Sequence, residues 1–159
     1  MTMSDESALV ALAHEYADAV RHRDAERWAA TWVADGRWVL GPGRDVSGRD
    51  AIVEMWSDSI AKYAVVTQMY TSCTFNIDSN IDSSIGSNID INIDINTASG
   101  RCQLFELNVV ADDGSRQVMA GHYDDTYRRT PEGWRYNSRQ LTKYYSGPPD
   151  LTGIFVTPT

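Results

Sequence analysis

Asp125 and Arg139 are the residues of this chain whose types and spacing best suit them to act together. They lie on two runs of alternating residues within AGHYDDTYRRTPEGWRYNSRQL, Ala120 to Leu141, flanking a turn at Thr130–Gly133. Period-two alternation puts Gly121, Tyr123, Asp125 and Tyr127 on one face of the first strand. It puts Arg135, Asn137, Arg139 and Leu141 on one face of the second. A three-residue turn sets Asp125 directly opposite Arg139. A four-residue turn points them to opposite faces, because a one-residue slip inverts every side chain. In the first register the guanidinium can hold a substrate oxyanion or carboxylate, with Asp125 as its orienter or as a base. The same two groups can instead form a buried ion pair that fixes the hairpin. Tyr16 offers a third polar group, either a core tyrosine with a satisfied hydroxyl or a hydrogen-bond donor at a pocket floor.

The elements that must position these groups follow from the pattern around them. Ser4 or Ser7 caps a first helix running to about Arg21, with Leu9, Leu12, Ala13, Tyr16 and Val20 on one stripe. Asp24 caps a second helix through Trp32, with Trp28 and Trp32 on one face, stopped by Gly36. Residues 37–40 read as a short strand, broken by Gly41-Pro42-Gly43. Ser47 opens a third helix whose buried stripe is Ile52, Met55, Trp56, Ile60 and Tyr63. Then 65–75, 101–110, 116–129 and 134–145 read as strands. Helices followed by a run of strands make an α+β chain with an antiparallel sheet. Residues 146–159 read as an extended arm packed across a neighbour or an edge.

Composition narrows the function classes. The 159 residues suffice for one domain with a real core, 1–159. A net charge of -8 argues against nucleic-acid binding. No run is long enough to span a membrane, and the acidic N-terminus lacks a signal-peptide pattern, so a cytoplasmic location is expected. The two cysteines, Cys73 and Cys102, have no metal-site spacing and read as reduced, buried thiols. His14 falls off the helical stripe, His22 sits at a helix end, and His122 alternates away from Asp125, so no metal triad forms. GxSxG, Walker and GxGxxG motifs are absent, and no cofactor is expected.

Residues 76–96 depart from the rest. They hold five tandem tetrads, NIDS, NIDS, SIGS, NIDI and NIDI. Asn, Asp, Ser and β-branched Ile are poor helix formers, which leaves an extended hairpin or a flexible loop. Asp78, Asp82, Asp90 and Asp94 could attract a cation but lack the spacing of an EF-hand, and read as a solvated ladder.

The element order, with WVADGRW, SGRDAI and the GxYxD…GWRxxxR pattern, resembles the SnoaL-like branch of the nuclear-transport-factor-2-like superfamily. The resemblance implies a cone, in which a strongly bent mixed or antiparallel sheet wraps three N-terminal helices around an internal pocket. It also implies a homodimer through the convex sheet face. AHEYADAVRHRD is similar to ketosteroid isomerases, with Tyr16 and Asp125 on the oxyanion-hole positions but Leu40 where the general base belongs. Scytalone dehydratases and hexachlorocyclohexane dehydrochlorinases are similar too. Their catalytic aspartate position reads Arg21 here and their histidine position reads Met69, while Arg139, Trp38 and Tyr123 match a pocket arginine and its aromatic wall.

These readings give catalytic candidates Tyr16, Asp125 and Arg139, and substrate-binding candidates Trp38, Trp56, Met69, Tyr123 and Leu141. The expected function is a cofactor-independent lyase, isomerase or cyclase acting on a small hydrophobic ring compound. The alternatives are a ligand-binding protein without chemistry and a structural subunit like those of ring-hydroxylating dioxygenases.

Overall fold

Helix α1, Asp5–His22, starts where the Ser4 hydroxyl accepts from the Ser7 N–H and stops where Arg23 turns left-handed. The computed structural model describes residues 4–77 and 97–155. From residue 78 onward, the tetrad segment lies outside the described residues. Leu9, Leu12, Ala13, Tyr16, Ala19 and Val20 form the buried stripe of α1, close to the one its periodicity predicts.

Helix α2, Ala25–Ala30, is capped by Asp24 as expected but ends before Trp32. The Thr31 hydroxyl donates to the Trp28 carbonyl at 2.6 Å. The Thr31 carbonyl in turn accepts from the Tyr136 N–H at 2.8 Å, which draws the chain into the sheet. Trp32 therefore opens strand β1, Trp32–Gly41, longer than the short strand expected. The Gly41–Gly43 turn does not end sheet structure, because the chain returns as β2, Arg44–Ser47, in an antiparallel hairpin. Helix α3, Arg49–Ile60, is capped by Gly48 rather than Ser47. Gly48 has φ +90°, a conformation that glycine adopts at little cost.

Four long strands follow: β3 Tyr63–Ile77, β4 Thr97–Val110, β5 Arg116–Thr130 and β6 Gly133–Gly147. The sheet order is β2-β1-β6-β5-β4-β3, antiparallel except where β1 runs parallel to β6. The fold is thus α+β with a mixed sheet, and it curls around the helices. Register breaks interrupt several of its pairs, and such bulges bend a strand and increase its twist. At one of them a Cβ on Gly121 would collide with the Thr142 carbonyl, so only glycine fits. Helix α1 packs on β3 and β6, and α3 packs on β1. Asp5 fastens the start of α1 to β6 by accepting from the Trp134 indole N–H at 3.1 Å.

The expectation for the cysteines needs correction. The cysteines are not free thiols: Cys73 on β3 and Cys102 on β4 face each other with Cα atoms 4.1 Å apart and form a disulfide. Their separation in sequence hides the antiparallel pairing that brings them together. After β6 the C-terminal residues as far as Phe155 pack back on Tyr145. The Tyr145 hydroxyl donates to the Pro148 carbonyl at 2.6 Å and accepts from the Gly153 N–H at 3.2 Å, and Phe155 lies against the Tyr145 ring.

The disulfide closes a loop with a sequence separation of 29 residues. Chain-entropy arguments give such a crosslink about 3.6 kcal/mol of stabilisation. Cys102→Ala should therefore lower the urea midpoint, and reduction with dithiothreitol should do the same to the unmodified protein. Equal midpoints in oxidised and reduced samples would count against a structural role for the bond.

Candidate functional site

The β5–β6 hairpin brings Asp125 opposite Arg139, though not by the turn expected. Thr130 pairs with Gly133, so only Pro131 and Glu132 form the loop. The pairing then shifts between Tyr127↔Tyr136 and Thr126↔Ser138, leaving Asn137 as an extra residue in β6. A two-residue loop plus one bulged residue gives the same register as a three-residue turn. The bulge also changes which residues face inward. Tyr136 and Arg139 are both fully buried, whereas Asn137 reaches outward to the Thr126 hydroxyl. Arg135 and Asn137 therefore do not share the inner face with Arg139 as simple alternation predicts.

Arg139 is 0% exposed and Asp125 2%. Arg139 Nε donates to Asp125 Oδ1 at 2.8 Å, and Nη2 donates to Oδ2 at 3.2 Å. Its Nη1 donates to the Tyr70 hydroxyl at 3.0 Å. The guanidinium carbon lies 4.0 Å from the ring centre of Tyr123, 4.1 Å from Tyr136 and 4.4 Å from Tyr16. An aromatic face within about 6 Å attracts a cation, more so when water is excluded. Tyr127 adds its hydroxyl, which donates to Asp125 Oδ2 at 3.1 Å. The pair thus sits in a cage of tyrosines supplied by α1, β3, β5 and β6.

This arrangement sets the protonation states. Burial opposes the Arg139 charge, but Asp125 and the surrounding tyrosines hold its pKa well above the ordinary guanidinium value. Burial pushes the Asp125 carboxyl up while Arg139 pulls it back. Both of its oxygens accept N–H bonds from Arg139, the pattern of an ionised carboxylate. Burial raises the hydroxyls of Tyr16, Tyr123 and Tyr136, and pushes Tyr70 up to about 12. The cage is therefore a set of neutral phenols around one ion pair.

Beside the cage lies a cavity of about 130 Å³. The catalytic candidate Tyr16 and the substrate-binding candidates Trp38, Trp56, Tyr123 and Leu141 line it. Tyr16 and Tyr123 form the partition, each lying against the Arg139 guanidinium and also facing the cavity. Asp125 and Arg139 are not among the lining residues. Met69 is not either: it is 39% exposed, because Gln68 and Tyr70 take the inward positions around it on β3. Trp56 stacks on Trp28 with ring centres 4.7 Å apart and so forms a rigid part of the wall.

The cavity also has a polar end that the sequence reading missed. Glu106 on β4 is half-buried there, between Gln68 and Asn108. Gln68 Nε2 donates to its Oε2 at 2.7 Å, and Asn108 Nδ2 donates to its Oε1 at 2.7 Å. Burial raises the neighbouring Tyr63 hydroxyl, and the Glu106 charge raises it further. Two signals were available: Glu106 interrupts an apolar run, and it shares a face with Asn108 two residues on. The opposing signal is stronger, since Phe105, Leu107 and Val109 form the more apolar set, yet they face outward and Leu107 is 41% exposed. His122 also lies away from the cavity, against the Tyr144 hydroxyl and 3.1 Å from Asp124 Oδ2. Among the described residues no cluster of three or more His, Cys, Asp or Glu is arranged to hold a metal. No described helix is long and apolar enough to cross a membrane.

Removing one member of a buried pair strands the other, which costs about 3–5 kcal/mol. Arg139→Met should destabilise the chain by that amount in urea denaturation. Asp125→Asn combined with Arg139→Met should recover much of the loss. Additive losses would mean that the two side chains act independently.

Solved structures with this architecture come from several enzymes and enzyme candidates. A protein of Novosphingobium aromaticivorans proposed to be a scytalone dehydratase matches with a TM-score of 0.76 at 14% identity, over 96% of this chain and 92% of its own. A type 2 hexachlorocyclohexane dehydrochlorinase matches at 0.74 and 16% identity, over 96% and 93%. A protein of Novosphingobium aromaticivorans proposed to be an aromatic ring hydroxylase matches at 0.69 and 20% identity, over 99% and 93%. At such identities the likeness is one of fold. Among curated proteins none matches this sequence. The SnoaL-like domain model matches residues 1–140, and the chain belongs to the SnoaL-like family.

Proposed function

We propose that this protein is a cofactor-independent lyase or isomerase acting on a small hydrophobic ring compound held in the cavity between α3 and the curled sheet. The observation that carries the reading is the wall of Tyr16, Trp38, Trp56, Tyr123 and Leu141 around a space of about 130 Å³. An apolar, aromatic cavity of roughly 150 Å³ accepts a benzene-sized molecule, so a compound with one ring is the fitting size. Small-molecule sites are usually concave, mostly apolar, and supplied with a few polar groups. Solved structures with this fold include a dehydrochlorinase and a protein proposed to be a scytalone dehydratase, which supports elimination chemistry as the class.

In this reading Asp125 and Arg139 act through the tyrosines rather than by touching the ligand. Arg139 fixes and polarises Tyr16 and Tyr123, whose rings it contacts, and Asp125 holds Arg139. Tyr16 then supplies a neutral hydroxyl at the cavity wall for an oxygen that gains charge during reaction. One observation favours the alternative of binding without chemistry. Arg139 occupies both Asp125 oxygens and Tyr127 also donates to one, which removes this carboxylate as a free base.

A panel of substituted single-ring ketones, alcohols and halides separates these readings. Purified protein, with no additive, should convert at least one class, with the product seen by proton NMR. Trp38→Ala should lower kcat/KM for it by about tenfold or more, as expected for loss of a packed aromatic wall. Ligands that raise the melting temperature but are never converted would favour the binding protein. Neither binding nor conversion would remove the small-molecule reading.

A further inference from the structure

Among the described residues Glu106 is the only acidic one lining the cavity, and neither the ion pair nor the tyrosine cage uses it. Each of its oxygens accepts one neutral amide donor, from Gln68 or Asn108. The carboxylate is thereby held in one orientation and keeps lone pairs to spare. Among the described residues it has no ion-pair partner. The amides that hold it carry orphaned acceptors of their own. Gln68 Oε1 and Asn108 Oδ1 are buried without a hydrogen-bond partner, and Asn108 is only 5% exposed. Both atoms are shut off from solvent, so they stand behind Glu106, and it is the half-buried carboxylate that can meet a ligand. The chemistry that suits a carboxylate with spare lone pairs is a hydrogen-bond donor.

We propose that Glu106 binds a hydroxyl group on the ring compound held in the cavity, with Gln68 and Asn108 as its positioning residues. This rests on the ring-compound reading above and adds to it the substituent that the site selects. Two kinds of donor fit a carboxylate, a neutral hydroxyl and an ammonium. Arg44 and Lys143 line the same cavity and outnumber the one acid, so an ammonium is repelled where a neutral hydroxyl is not. Discrimination of this kind is strong, because a site built to pair with a hydroxyl is left with unpaired buried groups when the hydroxyl is missing. The hydroxyl end of the ligand lies at Glu106, and its ring packs between Trp38, Trp56 and Tyr123.

The test uses the full chain and two probes of nearly equal shape, 4-methylphenol and 1,4-dimethylbenzene, with affinities read by calorimetry or ligand-observed NMR. Wild type should bind the phenol about tenfold or more tighter than the hydrocarbon, the usual size of a hydrogen bond to a charged group. Glu106→Gln should lose most of that preference and keep its affinity for the hydrocarbon. Equal binding of both probes to wild type would overturn the proposal and leave the ring-compound reading standing. A preference that survives Glu106→Gln would also overturn it, since another group would then be reading the hydroxyl. Binding of neither probe would remove both readings together. If Glu106→Gln does not fold, Glu106→Asp carries the variant arm, because withdrawing the carboxylate by one methylene must also shrink the preference.

Discussion

A guanidinium and a carboxylate removed entirely from water are the constraint around which this molecule is arranged. Burying either charge alone would cost several kcal/mol, and their mutual attraction repays that only with good geometry and satisfied hydrogen bonds. Asp125 and Arg139 meet these terms through a two-point contact, two further phenol contacts and aromatic faces around the cation. The demand reaches well beyond the hairpin. Tyr16 must come from α1, Tyr70 from β3 and Tyr123 from β5, so the helix and strands β3, β5 and β6, with β4 between β5 and β3, have to assemble around one point. A β6 residue in the wrong phase would break the contact, which gives the Asn137 bulge a structural reason.

The cavity is a consequence of that assembly. Tyr16 and Tyr123 cannot close over the space between α3 and the sheet, because Arg139 holds their rings from the other side. Trp56 is held in turn by its stack on Trp28. The polar groups separate into two systems that share only a wall: a neutralised ion pair behind the tyrosines, and Glu106 with its two amides in front. The first gives rigidity, and the second is what we propose a ligand recognises.

Much of this was legible in the residues. The α1 stripe, the Asp24 cap and the four long strands follow from periodicity and capping chemistry, whereas periodicity left the register of Asp125 and Arg139 open between two turn lengths. The family resemblance supplied the aromatic wall at Trp38 and Tyr123. What escaped has a common cause, since each missed feature depends on long-range pairing that overrides a local pattern. Trp32 fits a helical face beside Trp28, yet the Thr31 backbone is taken by β6. Cys73 and Cys102 become neighbours only once β3 and β4 align. Met69 sits where a matched position suggests an inward side chain, but the alternation of β3 turns it out. Glu106 was hidden because over residues 105–109 the more apolar side chains, Phe105, Leu107 and Val109, are the outer ones.

In our proposal the ion pair is framework while the ligand meets Glu106 and the aromatic wall. A crystal structure of the protein with 4-methylphenol bound distinguishes these roles. The phenol oxygen should lie within hydrogen-bond distance of Glu106, the ring against Trp38 and Trp56, and Arg139 should still be bound to Asp125 behind Tyr16 and Tyr123. A ligand oxygen in direct contact with Arg139, or an Asp125–Arg139 pair opened to admit the ligand, would contradict it.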